Sequence, residues 1–355
     1  MSKVVIAMSG GVDSSVAAAL LKQQGHEVTG MMLRLWSEPG CEDSNRCCTP
    51  EAMSLAKRVA AKLDIPFYAV DAQDIFYDKI VGYFLAGYAV GKTPNPCLQC
   101  NRLIRWEFLL RQALEMGADY LATGHYARTK VDDESRVQVL RGIDRGKDQS
   151  YVLHLLNQEQ LAHSLFPIGG LRKAEVRKLA ETLQLPTAAR SDSQDLCFLA
   201  GEDYRDFIQR HAPETVQSGP IRNRKGEILG EHRGLPYYTV GQRKGLGIPS
   251  PVPLYVIAKE IAENTLLVGG EDELGSRECL VREINWIAGK AEEGSFRAEV
   301  KTRYTAKEVW AEILPEGDDT CARVRFDEPV RDITPGQAAV FYEGERLLGG
   351  GEISN

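Results

Sequence analysis

The first 125 residues alternate between strand-like and helix-like spacing of apolar positions. Lys3 to Met8 is a β-branched apolar run that ends at Ser9-Gly10-Gly11. A helical pattern follows from about Ser14 to Gln24 and is stopped by Gly25. Glu27 to Leu35 reads as a second buried strand. Thr49-Pro50-Glu51 has the form of an N-cap followed by proline at the first helical position, and Met53, Ala56, Val59, Ala60 and Leu63 then fall at helical spacing. The pattern predicts a third strand over Pro66 to Val70, a third helix over Asp74 to Val90, a fourth helix over Asn101 to Met116 and a fourth strand over Tyr120 to Thr123. Repeated strand–helix units imply an α/β fold, a parallel sheet covered on both faces. Ligands on such sheets bind at the carboxyl ends of the strands.

Tyr126 to Arg141 reads as a hairpin turning at Asp132-Asp133-Glu134-Ser135. Helical patterns recur near Gln158 to Leu165 and Lys173 to Leu183. Beyond about Pro213, Gly and Pro become frequent and short β-rich stretches follow one another: Tyr237 to Val240, Leu254 to Ala258, Thr265 to Val268, Phe296 to Thr302, Val309 to Ile313, Thr320 to Phe326 and Ala338 to Tyr342. The expected organisation is therefore an α/β domain over 1–212, a central β-rich domain over 213–275 and a C-terminal β-barrel-like domain over 276–355.

The chain has 355 residues and a formal net charge of -7, which excludes a uniformly basic nucleic-acid binder but not a local basic face. Gly219 to Glu260 holds seven lysines and arginines against three acids, and Arg297, Lys301, Arg303 and Lys307 add to them. No apolar run approaches the ~20 residues of a membrane span. The apolar stretch at the N-terminus is too short for a signal peptide, so the expected location is the cytoplasm. Eight cysteines are too sparse for a disulfide scaffold. Their clustering suggests metal binding or catalysis instead.

Two stretches carry the chemistry. Ser9-Gly10-Gly11-Val12-Asp13-Ser14 lies between the first strand and the first helix. Glycines there let the backbone approach a polyphosphate, and the amide groups opening a helix attract anions. Asp13 would position a phosphate-bound Mg²⁺. The loop has no lysine and does not fit the G-x-x-x-x-G-K-[ST] pattern. It resembles the S-G-G-x-D-S loop of ATP pyrophosphatases, which cleave ATP between the α and β phosphates and adenylate a carbonyl oxygen. The second stretch, Thr93-Pro94-Asn95-Pro96-Cys97-Leu98-Gln99-Cys100-Asn101, precedes the fourth helix and places Cys100 or Asn101 at its N-cap. The helix dipole and Arg102 and Arg105 would favour thiolate. Far away, Cys197 sits in a short apolar segment, where a lone cysteine is ordinarily core. Cys41, Cys47 and Cys48 read as a polar, mobile loop without four well-placed zinc ligands.

Taken together, the ordered motifs resemble tRNA-specific 2-thiouridylases. They are the glycine loop; Thr93-Pro94-Asn95-Pro96 with Cys100-Asn101; Ala122-Thr123-Gly124-His125-Tyr126; Lys147-Asp148-Gln149-Ser150-Tyr151; Ser193-Gln194-Asp195-Leu196-Cys197-Phe198; Tyr238-Thr239-Val240-Gly241-Gln242-Arg243-Lys244-Gly245; and Arg303-Tyr304. The resemblance implies ATP-dependent thiolation of the wobble uridine in the tRNA anticodon arm. Ala7, Met8, Ser9, Gly10, Gly11, Val12, Asp13, Ser14, Leu33 and Gly124 would contact ATP. Cys197 would carry a persulfide received from a cysteine desulfurase or sulfur-relay protein, and Cys100 would be its partner thiol. Asn95, Pro96 and Cys97 would flank the target base. His125, Lys147, Asp148, Gln149, Arg303, Tyr304 and Gln337 would touch tRNA. The chain has Cys97 where many such enzymes carry aspartate, so a competing expectation is an iron–sulfur cluster held by Cys97, Cys100 and Cys197. Two further alternatives are an amidating ligase of the same superfamily and a non-catalytic, cluster-carrying RNA-binding module.

Overall fold

A computed structural model describes residues 1–38, 49–191, 196–199, 201–317, 319–331 and 333–354. Cys41, Cys47 and Cys48 lie outside the described residues, as do Ser193, Gln194 and Asp195 of the motif before Cys197.

The N-terminal part is the expected layered α/β unit. β1 (Lys3–Ala7) leads through a glycine turn into α1 (Val12–Gln23), and β2 (Glu27–Arg34) follows. α2 (Pro50–Leu63) begins where Thr49 predicts, its hydroxyl accepting the Ala52 N–H at 3.0 Å. β3 (Phe67–Asp71) and β4 (Tyr120–Ala122) come next. A hairpin of β5 (Ala127–Val131) and β6 (Val137–Arg141) then leaves the sheet, and the chain returns as β7 (Ser164–Leu165). The five-stranded sheet has the order β3-β2-β1-β4-β7, with every pairing parallel. β1 is central, and Val4, Val5 and Ile6 are buried on both faces, as a doubly covered parallel strand requires.

The middle sheet is formed by β8 (Gly219–Arg222), β9 (Ile228–His232), β10 (Tyr255–Glu260) and β11 (Thr265–Gly269), in the order β10-β11-β8-β9. Six strands follow: β12 (Ser276–Trp286), β13 (Phe296–Lys301), β14 (Val309–Glu316), β15 (Cys321–Val330), β16 (Ala338–Glu343) and β17 (Arg346–Ser354). They pair antiparallel in the order β12-β15-β14-β13-β16-β17, and β12 pairs β17 to close the barrel. Closure removes both exposed edges. The stretch Tyr237 to Val240, expected as a strand, is instead a tight turn over Leu235–Tyr237 followed by irregular chain. Pro236 and the positive φ of Gly241 (86°) oppose extended pairing there.

The β5–β6 hairpin does more than fold back on itself. β6 pairs with the start of β17, so the α/β unit and the barrel share one hydrogen-bonded sheet. A single apolar cluster runs through the junction, joining Val5, Leu121, Tyr151 and Leu153 to Val340, Tyr342 and Leu347. The five-stranded sheet is thereby joined to the barrel through this hairpin and the shared apolar cluster.

His154 lies in this junction and is fully buried. Its Nδ1–H donates to the Tyr151 carbonyl at 2.7 Å, and Nε2 has no hydrogen-bond partner. Burial pulls its pKa down to about 4. The unfolded chain therefore binds a proton on His154 below about pH 6.5 that the folded chain refuses. The stability His154 permits is complete above that pH and is lost as pH falls towards 4, by up to roughly 3 kcal/mol. Urea midpoints measured from pH 7.5 to 4.5 are expected to fall, and to fall less steeply in His154→Phe. An identical slope in the variant contradicts the assignment.

Candidate active site

The glycine loop stands at the carboxyl ends of three adjacent strands. Ala7 ends β1, and the Met8 N–H still donates to Met31 of β2 at 2.8 Å. Gly11 is the N-cap of α1 and supplies no side-chain cap, which leaves amide groups of the first turn for an anion. Two serines hold the turn's shape. Ser15 Oγ donates to the Gly11 carbonyl at 2.8 Å, and Ser14 Oγ accepts the Ser9 N–H at 3.3 Å. Gly10 has φ +70°, and a Cβ there would lie 2.5 Å from the Ala52 carbonyl oxygen. Gly124 follows β4 and lies against the loop from the other side, where a Cβ would come within 2.8 Å of the Ser14 nitrogen. Leu33, in β2, packs against two apolar clusters, that of Val5, Met31 and Leu121 and that of Phe76, Phe84 and Phe198. The residues expected at ATP are thus gathered from β1, β2 and β4.

Three residues absent from the sequence-based set join this loop. Lys173 Nζ lies 2.8 Å from each Asp13 carboxylate oxygen, and Tyr126 Oη donates to Asp13 Oδ1 at 2.7 Å. Arg190 Nη1 donates to the Gly10 carbonyl at 2.8 Å. Lys173 and Arg190 come from 160 and 180 residues downstream of their partners, beyond the reach of local pattern.

The fourth helix begins earlier than its pattern predicts. It runs without a break over 96–115, with Pro96 at its first position and Asn95 Oδ1 accepting the Leu98 N–H at 3.4 Å. Asn95, rather than Cys100 or Asn101, is therefore the cap, and Cys97 and Cys100 fall within the opening turns. Over Cys100–Leu109 the helix is wound wider, with i→i+5 hydrogen bonding, a form frequent at functional sites. Cys97 is exposed. Cys100 is half-buried against a cluster of Phe76, Phe84, Ile104, Phe198 and Phe207. Cys197 opens the short turn Cys197–Leu199 and packs against the same cluster. A cavity of about 480 Å³ lies between the two segments, lined by Pro94, Asn95 and Pro96 on one side and Leu196, Leu199 and Tyr204 on the other.

The three-cysteine ligand set does not assemble. Among the described residues, which include Cys97, Cys100 and Cys197, no group of three His, Cys, Asp or Glu side chains is placed to hold a metal ion. Together with burial and Asp148, Cys97 is one of the influences that raise the Tyr304 hydroxyl's pKa.

Several of the side chains expected at tRNA are engaged within the protein. The Thr93 N–H donates to the Pro335 carbonyl at 2.9 Å, and Gln337 Nε2 donates to the Thr93 carbonyl at 2.7 Å. Gln337 thus clamps the loop leading to Asn95, Pro96 and Cys97. Arg303 donates to the Val240 carbonyl and to Thr334 Oγ1, tying the barrel to the chain between β9 and β10. Tyr304 is partly exposed, at 40%, edge-on to Tyr151 and under Lys301. Asp148 is buried and accepts N–H groups of Gly142 and Ser150 at 2.8 and 3.2 Å. Gln149 accepts the Tyr126 N–H at 3.1 Å and so supports the tyrosine that reaches Asp13. His125 is buried beside Trp106 and Phe166, with Nδ1 2.7 Å from Thr123 Oγ1. Burial, reinforced by Arg105, holds its pKa well below the ordinary histidine value, so it is neutral.

Comparison with known proteins decides the family. Residues 2–201 match a profile described as tRNA methyl transferase HUP domain, residues 205–270 its PRC-barrel domain, and residues 276–353 an aminomethyltransferase beta-barrel domain. A protein of Moorella thermoacetica named tRNA-specific 2-thiouridylase MnmA is 47% identical over 354 residues, covering 99% of each chain. Proteins with that function in their names from Caldanaerobacter subterraneus subsp. tengcongensis and Geotalea uraniireducens are also 47% identical. Those two alignments cover 99% of this chain and 98% and 95% of theirs. The chain belongs to the tRNA-specific 2-thiouridylase family.

In this 2-thiouridylase-family chain the basic stretches are only partly available to a polyanion. Arg222 pairs with Glu263 at 3.5 Å, Arg224 with Glu273 at 3.1 Å and Arg297 with Asp327 at 2.5 Å. Lys259 is turned inward, donating to the Tyr238 carbonyl at 2.9 Å above the Tyr88 ring, and burial lowers its pKa to about 8. Arg243, Lys244 and Lys307 remain exposed. Among the described residues no helix is long and apolar enough to cross a membrane.

Proposed function

We propose that this chain thiolates C2 of the wobble uridine in tRNA at the expense of ATP. The observation that carries the reading is the placement of Cys100 and Cys197. They are distant in sequence and share one aromatic cluster, on which Leu33 of β2 also packs, and residues flanking each of them in the chain line one cavity. An amidating ligase needs the glycine loop but neither thiol.

The uracil C2 oxygen attacks the α phosphorus of ATP and pyrophosphate leaves, so C2 acquires AMP as a good leaving group. The uncapped start of α1 stabilises the charge on the pyrophosphate. The terminal sulfur of a Cys197 persulfide then attacks C2. Cys100 thiolate attacks the Cys197 sulfur, the S–S bonding pair passes to the sulfur on C2, and AMP is expelled as C=S forms. The Cys100–Cys197 disulfide that results is reduced by an external thiol before the next persulfide arrives. In a second route Cys100 releases the sulfur as sulfide, which attacks C2 directly. Mg²⁺, when bound, would neutralise pyrophosphate charge, and Asp13 is the loop carboxylate that would face it as Lys173 gives way. The arrangement of the three cysteines supports no step through a cluster.

Extruding the base is cheap because an anticodon loop is already single-stranded. Arg243, Lys244 and Lys307 would supply phosphate contacts, and Asn95, Pro96 and Tyr304 the surroundings of the base. The persulfide donor is a cysteine desulfurase or a sulfur-relay protein, the setting is the cytoplasm, and the functional units are 1–212, 213–275 and 276–355. The expected result is pyrophosphate release that requires ATP and tRNA together. Release with ATP and ammonia but without tRNA indicates the ligase, and no release indicates a binding module.

A further inference from the structure

We propose that Lys173 and Arg190 supply the cationic charge that the glycine loop lacks in its own sequence, contacting the pyrophosphate portion of ATP. The inference rests on reading the loop as a pyrophosphate cradle and adds two residues to it. Between Ser9 and Ser15 there is no lysine or arginine, and the one charged side chain is Asp13, an anion in the first turn of α1. Left alone, that carboxylate repels a polyphosphate at the place where the helix start attracts one. The fold brings Lys173 to it. Nζ lies 2.8 Å from both carboxylate oxygens, on a side chain only 11% exposed, and 5.8 Å from the Tyr126 ring centre.

Lys173 is also aimed. It is the first residue of the helix Lys173–Thr182, and its own N–H donates to Asp144 Oδ2 at 2.9 Å, which fixes where the stem starts. Arg190 approaches from the other end of the loop. Its Nη1 lies 2.8 Å from the Gly10 carbonyl oxygen, and a Cβ on Gly10 would come within 2.9 Å of that nitrogen. Two cations therefore bracket the backbone that would cradle the phosphates. Asp13 holds Lys173 in place before the nucleotide arrives. Once the phosphates are bound, Lys173 turns from Asp13 to the phosphate oxygens, the stronger anion.

Full-length protein titrated calorimetrically with inorganic pyrophosphate, ATP and AMP in Mg²⁺ tests this without tRNA. Lys173→Met keeps the length of the stem and removes the charge. It is expected to weaken pyrophosphate and ATP binding by about 10- to 100-fold, the cost of one charge-assisted hydrogen bond, with AMP affinity changed less than about twofold. Lys173→Arg should recover most of the loss, and Arg190→Gln should weaken pyrophosphate in the same selective way. The double variant Asp13→Asn with Lys173→Met should stay weak. Recovery in the double variant would reduce Lys173 to a neutraliser of Asp13 and overturn the proposal, as would equal losses for AMP and ATP or unchanged pyrophosphate affinity. Lys173-dependent pyrophosphate binding in a protein that never thiolates tRNA would leave this inference standing and remove the functional reading above.

Discussion

Cys197→Ser is expected to abolish thiolation, by about 10³-fold or more, with tRNA affinity unchanged within about twofold. Serine has nearly the same shape, so the turn Cys197–Leu199 and its packing beside Phe198 are retained. What is lost is the atom that can carry a second sulfur, because oxygen forms no stable persulfide equivalent. Cys100→Ser should be as severe in multiple turnover for a different reason. Without the resolving thiolate, sulfur delivered to C2 stays tethered to Cys197, and a covalent tRNA–protein adduct should accumulate. Nucleoside mass analysis reads the loss and gel mobility reads the adduct. Retained activity in Cys197→Ser overturns the assignment. By contrast Cys279, which burial raises to about pKa 12, is a core residue of the barrel, and its substitution should leave thiolation intact.

Gly124→Ala is expected to lower kcat/KM for ATP by about 100-fold, the scale of loss from an ångström-sized displacement at a reacting centre. The added methyl would lie 2.8 Å from the Ser14 nitrogen and 3.0 Å from the Asp13 carbonyl carbon. Both are backbone atoms, so the loop must move and cannot simply rotate a side chain away. Ser14 lies in the first turn of α1, whose amides are proposed to meet the phosphates, and Asp13 holds Lys173, so both features shift together. The affinity for tRNA should be unaltered, since Gly124 lies on the nucleotide side. Steady-state kinetics with ATP varied at saturating tRNA separates the two, and equal losses for both substrates contradict this account.

How much was legible differs along the chain. The parallel sheet could be read because strands buried on both faces are continuous apolar runs and their helices carry caps such as Thr49. The start of the cysteine-bearing helix was missed because Pro94-Asn95-Pro96 reads as loop, although Pro96 is a first-turn proline and Asn95 its cap. β12 and β17 escaped for opposite reasons. The alternation of β12 is broken by a register shift between Arg282 and Asn285 and a positive φ at Glu283, while the run Gly349-Gly350-Gly351 hides β17. The hairpin β5–β6 was visible, but alternation shows that a face is buried, not that β17 buries it. At the site, motif residues came from sequence, whereas Lys173, Arg190 and the supporting role of Tyr126 depend on closures of more than a hundred residues. Buried His125 and Asp148 show the limit of placing a residue near a ligand by position alone, because neither chain position nor polarity reveals which hydrogen bonds are made inside the fold.

The most direct measurement is mass analysis of nucleosides from unthiolated tRNA incubated with the protein, Mg²⁺ and a sulfur source, with and without ATP. The account predicts a uridine with one oxygen replaced by sulfur at the wobble position, formed only with ATP and absent in Cys197→Ser. Unaltered uridine in every reaction, or thiolation that proceeds without ATP, would contradict it.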